Sequence, residues 1–254
     1  MNKIIAGLAA SAIALSAVSA TAAECTNDVW NKVMERGKIV IGSKADYRPW
    51  GFRDESGELV GMEVDMAKEV AETLGVELEM VTVQSSNRMQ FLEQSKVGMF
   101  IATMSDRPDR REIVGIVGPN YYTSGTNVMA PKALALKDWE DLRGKPVCGK
   151  QGAFCNQIVE ERYGAQIIAF TGNAEAKQAL RDKKCDDFEM PLTSEDDNPW
   201  GLAVPKAEEN CILGRFISGM QYNWHRSRRL IELETKWGIK PTQFLKDQAE
   251  RHSD

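Results

Sequence analysis

Histidine is nearly missing from this chain: His225 and His252 are the only two in 254 residues, and none of the five cysteines forms a CxxC pair. No Cys/His spacing suits tetrahedral zinc, so neither a metal nor a cofactor is expected. No serine–histidine or cysteine–histidine motif offers an activated nucleophile, which argues against an enzyme. Beyond residue 23, charged residues interrupt every apolar run, and no later segment reaches the ~20 residues of a membrane-spanning helix. Basic excess is lacking too. Lys and Arg number 32 against 37 Asp and Glu, a formal charge of −5. Such a chain repels phosphate backbones and excludes nucleic acid as the natural partner. Internal repeats and low-complexity linkers are also absent.

What is present begins with an address. Lys3 precedes an apolar run from Ile4 to Val18, and Ala20-Thr21-Ala22-Ala23 supplies the small residues that a signal peptidase needs. Residues 1–23 therefore read as a signal peptide cleaved near Ala23, giving an exported, periplasmic chain. Glu24 stands before Cys25 where a lipoprotein signal carries a small residue, so a lipid anchor is not expected. Losing Lys3 with the leader moves the formal charge from −5 to −6. In an exported chain, Cys25, Cys148, Cys155, Cys185 and Cys211 raise the question of disulfides. Cys148 ends a strand-like run and Cys185 follows the helix-like 173–182, so a Cys148–Cys185 bridge is expected. On the chain-entropy model it contributes roughly 3–4 kcal/mol; the alternative is two reduced, buried thiols. The odd count leaves one thiol unpaired within the chain.

Periodicity then sorts the mature chain into alternating strands and helices. Lys38–Gly42 is a short, β-branched, buried strand, and Val64, Ala67, Val70, Ala71 and Leu74 recur at helical spacing before Gly75. Val76–Val83 alternates as a strand, Arg88–Gln94 suggests a short helix, and Met99–Ala102 another buried strand. This is an α/β pattern with a largely parallel sheet. Ligands of such sheets sit beyond the carboxyl ends of the strands, which singles out Ser43–Trp50 and Thr103–Arg110. A second set follows at Val147–Cys148, Phe154–Tyr163, Gln166–Phe170 and Ala174–Leu180. Trp200–Val204 is extended again, and Ile212–Trp237 reads as amphipathic helices with a bend near Ser227. Two extended connectors around one αβ block suggest an inserted second lobe.

Several blocks, taken in order, carry a resemblance. Gly42–Asp54 (GSKADYRPWGFRD), Gly57–Asp65 (GELVGMEVD), Ile101–Ser105 with Arg110, and Tyr121–Gly125 (YYTSG) are four of them. Leu142–Val147 (LRGKPV), Gln151-Gly152 and Pro199–Val204 (PWGLAV) complete the set. Together they resemble the extracellular solute-binding proteins of family 3, receptors of polar amino-acid ABC importers. The resemblance implies a two-lobed, type II clamshell with a large lobe over 24–128 and 204–254 and a small lobe over 129–203. It implies a small amino-acid-like ligand in the interlobe cleft, a membrane permease as partner, and a monomer.

The family's motif residues map onto this chain one by one. Arg110 matches the carboxylate-binding arginine, whose planar guanidinium pairs with a carboxylate in bidentate fashion; read alone, it belongs to a charge run with Arg107 and Arg111. Ser105 and the backbone of Thr103 match positions that hold carboxylate and ammonium. Tyr47 and Trp50 match aromatics against the ligand's apolar body, with loop packing as the alternative for Trp50. Lys44 falls where the family reads the ligand side chain. Gly152, Ala153 and Phe154 match the loop whose N–H groups meet the carboxylate at a helix start. One segment of the family pattern is missing: Lys184–Phe188 joins two flanks directly where the family has a strand, an ammonium-binding aspartate and a helix. The second lobe is therefore expected to be truncated. This opens a second reading, a divergent homologue with lost or altered binding, in which Asp186 or Asp187 would be the substitute anion. A dehydratase, known among relatives of this fold, is the third.

Overall fold

The structure is a computed structural model that describes residues 25–182, 188–189 and 195–253. The leader and the junction at Cys185–Asp187 lie outside the described residues. Helix α1 (Asp28–Arg36) feeds strand β1 (Lys38–Ser43), and a ribbon of three short strands follows, β2 (Asp46–Tyr47), β3 (Gly51–Arg53) and β4 (Leu59–Val60). Next come α2 (Met62–Leu74), β5 (Glu77–Thr82), α3 (Arg88–Glu93), β6 (Met99–Ser105), α4 (Pro108–Arg111) and β7 (Val114–Thr126). The chain then builds a separate unit from β8 (Ala130–Pro131), β9 (Pro146–Lys150), α5 (Phe154–Tyr163), β10 (Gln166–Phe170), α6 (Asn173–Arg181) and β11 (Phe188–Glu189). Strand β12 (Glu195–Pro205) returns to the first sheet, and α7 (Ile212–Arg226), α8 (Arg229–Lys236) and α9 (Gln243–Arg251) pack behind it.

The main sheet has the order β5-β1-β6-β12-β7, with β1 parallel to β5 and β6, and β12 antiparallel to β6 and β7. Every residue of β6 is buried, because alternate side chains enter cores on opposite faces of the sheet. Met99 and Ile101 join the core beneath α2, α7 and α8, while Phe100, Ala102 and Met104 join the core beneath α3. A strand covered on both faces reads as a continuous apolar run, which is how this one looks in the sequence. Because β1 and β6 are parallel, their carboxyl ends share one edge of the sheet. Lys44 and Ser105 therefore emerge together.

The second unit has its own core of Val128, Ala130, Leu136, Trp139, Leu142, Val159, Tyr163 and Ala165. Its sheet pairs β9 with β10 in parallel, and the rings of Trp139 and Tyr163 stack at 5.1 Å. Two cores on separate sheets make the chain two-lobed. The expected second boundary at 203/204 falls inside β12, whose Trp200, Leu202 and Val204 all pack in the first core. Strand β7 and the β2–β4 ribbon were not legible by period, since glycines and prolines break their patterns; pairing with β12 sets the length of β7. The bend near Ser227 is real, and Arg228 with φ of 62° separates α7 from α8.

A bridge joins Cys25 to Cys211 across 186 positions. Among the described residues Cys148 has no disulfide partner, and Cys185, its expected partner, lies outside them. His225 is buried on α7, with Nε2 2.8 Å from the carbonyl oxygen of Asn120. Burial holds its pKa down at about 4, against a smaller opposing effect from that carbonyl. The unfolded chain therefore takes the proton first as pH falls, so stability is lost between roughly pH 6.5 and 4, on the order of 3 kcal/mol in all. Urea unfolding of His225→Gln is expected to lose about 2 kcal/mol less between pH 7 and pH 5 than the parent.

Candidate functional site

A cleft of about 890 Å³ opens at the carboxyl ends of β1 and β6, bounded on its far side by β9 and the starts of α5 and α6. Lys44 and Tyr47 reach it from the segment after β1, and Thr103, Ser105 and Arg110 from the end of β6 and from α4. Both segments singled out by the strand-end rule thus meet here.

Arg110 is 7% exposed although it lies in a charge run. It donates from Nη1 to the carbonyl of Ser105 at 3.3 Å, and its other terminal nitrogen donates to the carbonyl of Gly152 at 3.4 Å. That second bond crosses from one lobe to the other. Its neighbours in the run have other partners. Arg107 pairs with Asp109 at 2.9 Å, and Arg111 with Asp106 at 2.5 Å and Glu209 at 3.2 Å. Position at the start of α4 or within it separates three residues that look alike in the sequence.

Gly152 has φ of +71°, and a Cβ there would lie 2.8 Å from the backbone of Ser85 and Ser86. A second close approach occurs at Gly172, where a Cβ would stand 2.4 Å from Asp46. Asp46 accepts the backbone N–H of Asn173 at 2.6 Å, a carboxylate placed at the positive end of helix α6. The lobes touch at these glycines because nothing larger than hydrogen fits. Ala153 lines the cleft, but its N–H already donates to the carbonyl of Lys150 at 3.0 Å. Phe154 starts α5, where the first N–H groups have no intrahelical partner.

Thr103 has φ of 48°, an unusual conformation for a β-branched residue and the kind of strain that clusters at sites. The bend lets its N–H donate to Glu63 at 2.7 Å and its carbonyl accept from Arg88 at 3.1 Å. Tyr121 also donates to Glu63. Burial pushes the Glu63 carboxyl above its usual range, against the pull of Tyr121, Lys44 and the Thr103 N–H. Burial, and then the charge of Arg110, hold Arg88 down at about 9. Burial likewise lowers Lys44 strongly and Lys150 less, with Lys150 the largest neighbouring charge on Lys44.

Trp50 departs from expectation. It packs in the core edge-on to Tyr122 at 4.5 Å and to Trp200 at 4.8 Å, and it is Trp200 that lines the cleft. Sequence reasoning missed Arg88 and Lys150. Arg88 shares a helical face with buried Leu92 four residues on, which marks an arginine pointing inward. Lys150 ends β9, so the strand-end rule applied to the second lobe would have found it. Among the described residues no cluster of His, Cys, Asp and Glu could hold a metal, and both histidines lie away from the cleft lining.

Residues 39–240 match the family model for bacterial extracellular solute-binding proteins, family 3. The chain is 26% identical over 237 residues to the ABC transporter glutamine-binding protein GlnH of Bacillus subtilis (strain 168), covering 84% of this chain and 86% of that one. Among solved structures it resembles holo ArgBP from T. maritima, with a TM-score of 0.72, 26% identity, and 82% and 98% of the two chains covered. It also resembles the ancestral amino acid-binding protein AncCDT-1, a precursor of cyclohexadienyl dehydratase, with a TM-score of 0.74, 25% identity and the same two coverages.

Proposed function

This chain belongs to the bacterial extracellular solute-binding proteins, family 3, and from that premise we propose that it is the exported binding component of an ABC importer. It takes a small, carboxylate-bearing, amino-acid-like solute into the interlobe cleft and presents it to a membrane permease. The observation that carries this reading is Arg110, a cation nine-tenths buried in the cleft and bonded to both lobes. Ser105, Thr103, Tyr47 and Lys44 complete the large-lobe wall, and Ala153 and Phe154 face them from the small lobe. The mature chain starts near Glu24 and acts as a monomer. Its lobes comprise roughly 24–128 with the C-terminal segment from the second half of β12, and the intervening stretch from 129 to the first half of β12. It binds without turnover, so the ligand is recovered unchanged.

A thermal-shift screen of amino acids and small carboxylates against the mature protein tests this. Ligand at 100 times its Kd raises stability by about 2.7 kcal/mol, so one class of solute is expected to raise Tm clearly above the rest. A flat screen overturns the reading, and conversion of the bound solute would favour the dehydratase alternative. We further propose that Cys148 and Cys185 pair in the exported protein. Non-reducing peptide mapping is expected to recover them joined, and two free thiols would refute the pairing.

A further inference from the structure

Six described side chains lining the cleft are cationic, Lys44, Arg88, Arg110, Lys145, Lys150 and Lys177, and none of the described lining residues is an Asp or Glu. Among the described residues two carboxylates lie nearby and both have protein partners. Glu63 is fully buried and accepts from Thr103 and Tyr121 at one oxygen, its other oxygen having no partner among the described residues, and Asp46 accepts the start of α6. The carbonyl of Thr103, the site of an ammonium in the family pattern, already accepts from the guanidinium of Arg88. An ammonium placed there would face a cation at hydrogen-bond range. Lys44, 2% exposed, and Lys150 converge on one ring from opposite lobes, with their ammonium groups 4.8 and 4.6 Å from the centre of Tyr47.

We propose that this cleft takes a small dianion, one carboxylate on Arg110 and a second acidic group held between Lys44 and Lys150, with no subsite for an ammonium among the described residues. The inference rests on the solute-binding reading above and names its ligand class: a dicarboxylate, or a carboxylate bearing a sulfonate or phosphonate. The placement also ties charge to the ligand. Burial and the neighbouring Lys150 make Lys44 lose its proton more readily than a free lysine, so the empty cleft need not hold two full charges side by side. An anion between them favours the protonated form of both and links the two lobes. A neutral side chain in the same place brings neither gain.

Calorimetry of the mature protein with glutarate, L-glutamate and L-glutamine tests this, since the three differ only in the ammonium and the second charge. Glutarate is expected to bind at least as tightly as glutamate, and both at least 30-fold tighter than glutamine. Lys44→Gln and Lys150→Gln should each weaken glutarate at least tenfold, and at least threefold more than either weakens glutamine. Their unfolding midpoints report whether the variants fold, and the comparison of the three ligands on the parent protein needs no variant at all. Glutamine binding as tightly as glutamate overturns the second anion subsite and leaves the solute-binding reading intact. Glutamate binding tenfold tighter than glutarate shows an ammonium subsite and overturns the inference in that respect. If none of the three binds and no other small carboxylate raises Tm, the solute-binding reading itself has failed.

Discussion

Replacing Arg110 with alanine is expected to remove about 2–5 kcal/mol of ligand affinity, between roughly thirtyfold and a few thousandfold. The loss is large because the guanidinium is buried in the cleft, where the carboxylate it would pair with loses its water and has no equivalent donor to turn to. The same substitution cuts the bond to the Gly152 carbonyl, so the lobes also lose a contact on closing. Arg107→Ala serves as the control: Arg107 caps the start of α4 and its partner Asp109 lies in that helix's first turn, so affinity should change less than about twofold, as for a surface pair. Arg111→Ala should lower stability rather than affinity, since Arg111 ties Asp106 to Glu209. Equal affinity losses at all three positions would mean a diffuse basic patch, and the assignment of one anchor would fall.

The second large effect concerns the Cys25–Cys211 bridge. It closes a loop with a sequence separation of 186, for which the chain-entropy model gives a stabilisation on the order of 5 kcal/mol. A Cys25→Ser/Cys211→Ser double variant avoids leaving a reactive thiol and should unfold at a much lower denaturant midpoint. Its m-value should rise, because the uncrosslinked denatured chain exposes more surface. The native state should otherwise persist. The N-terminal segment is held independently by Ile212 donating to the side chain of Asn27 at 2.9 Å and by Val29 donating to Glu208 at 2.9 Å. A measured loss below about 1 kcal/mol would show that these contacts, and not loop closure, anchor the segment.

By itself the sequence determined the elements whose causes are local. The run Lys38–Ser43, the helical spacing before Gly75 and the buried stretch from Met99 are written in side chains a few positions apart. Because β1 and β6 are parallel, the strand-end rule then singled out Ser43–Trp50 and Thr103–Arg110, the two segments that meet at the cleft. What depended on long-range closure was not legible. Cys25 pairs with a residue 186 positions away, and five cysteines allow too many pairings for spacing to choose among them. Trp50 sits in a segment otherwise devoted to the cleft, yet the cage of Tyr122 and Trp200, contributed by β7 and β12, turns it into the core. Arg88 and Lys150 look like solvated charges on a helix and a strand. Only the packing of α3 against β6, and of one lobe against the other, withdraws them from water and sets them beside Arg110 and Lys44. Charge at a single position is a property of the sequence, but the field inside a cleft is a sum over residues that only tertiary structure assembles.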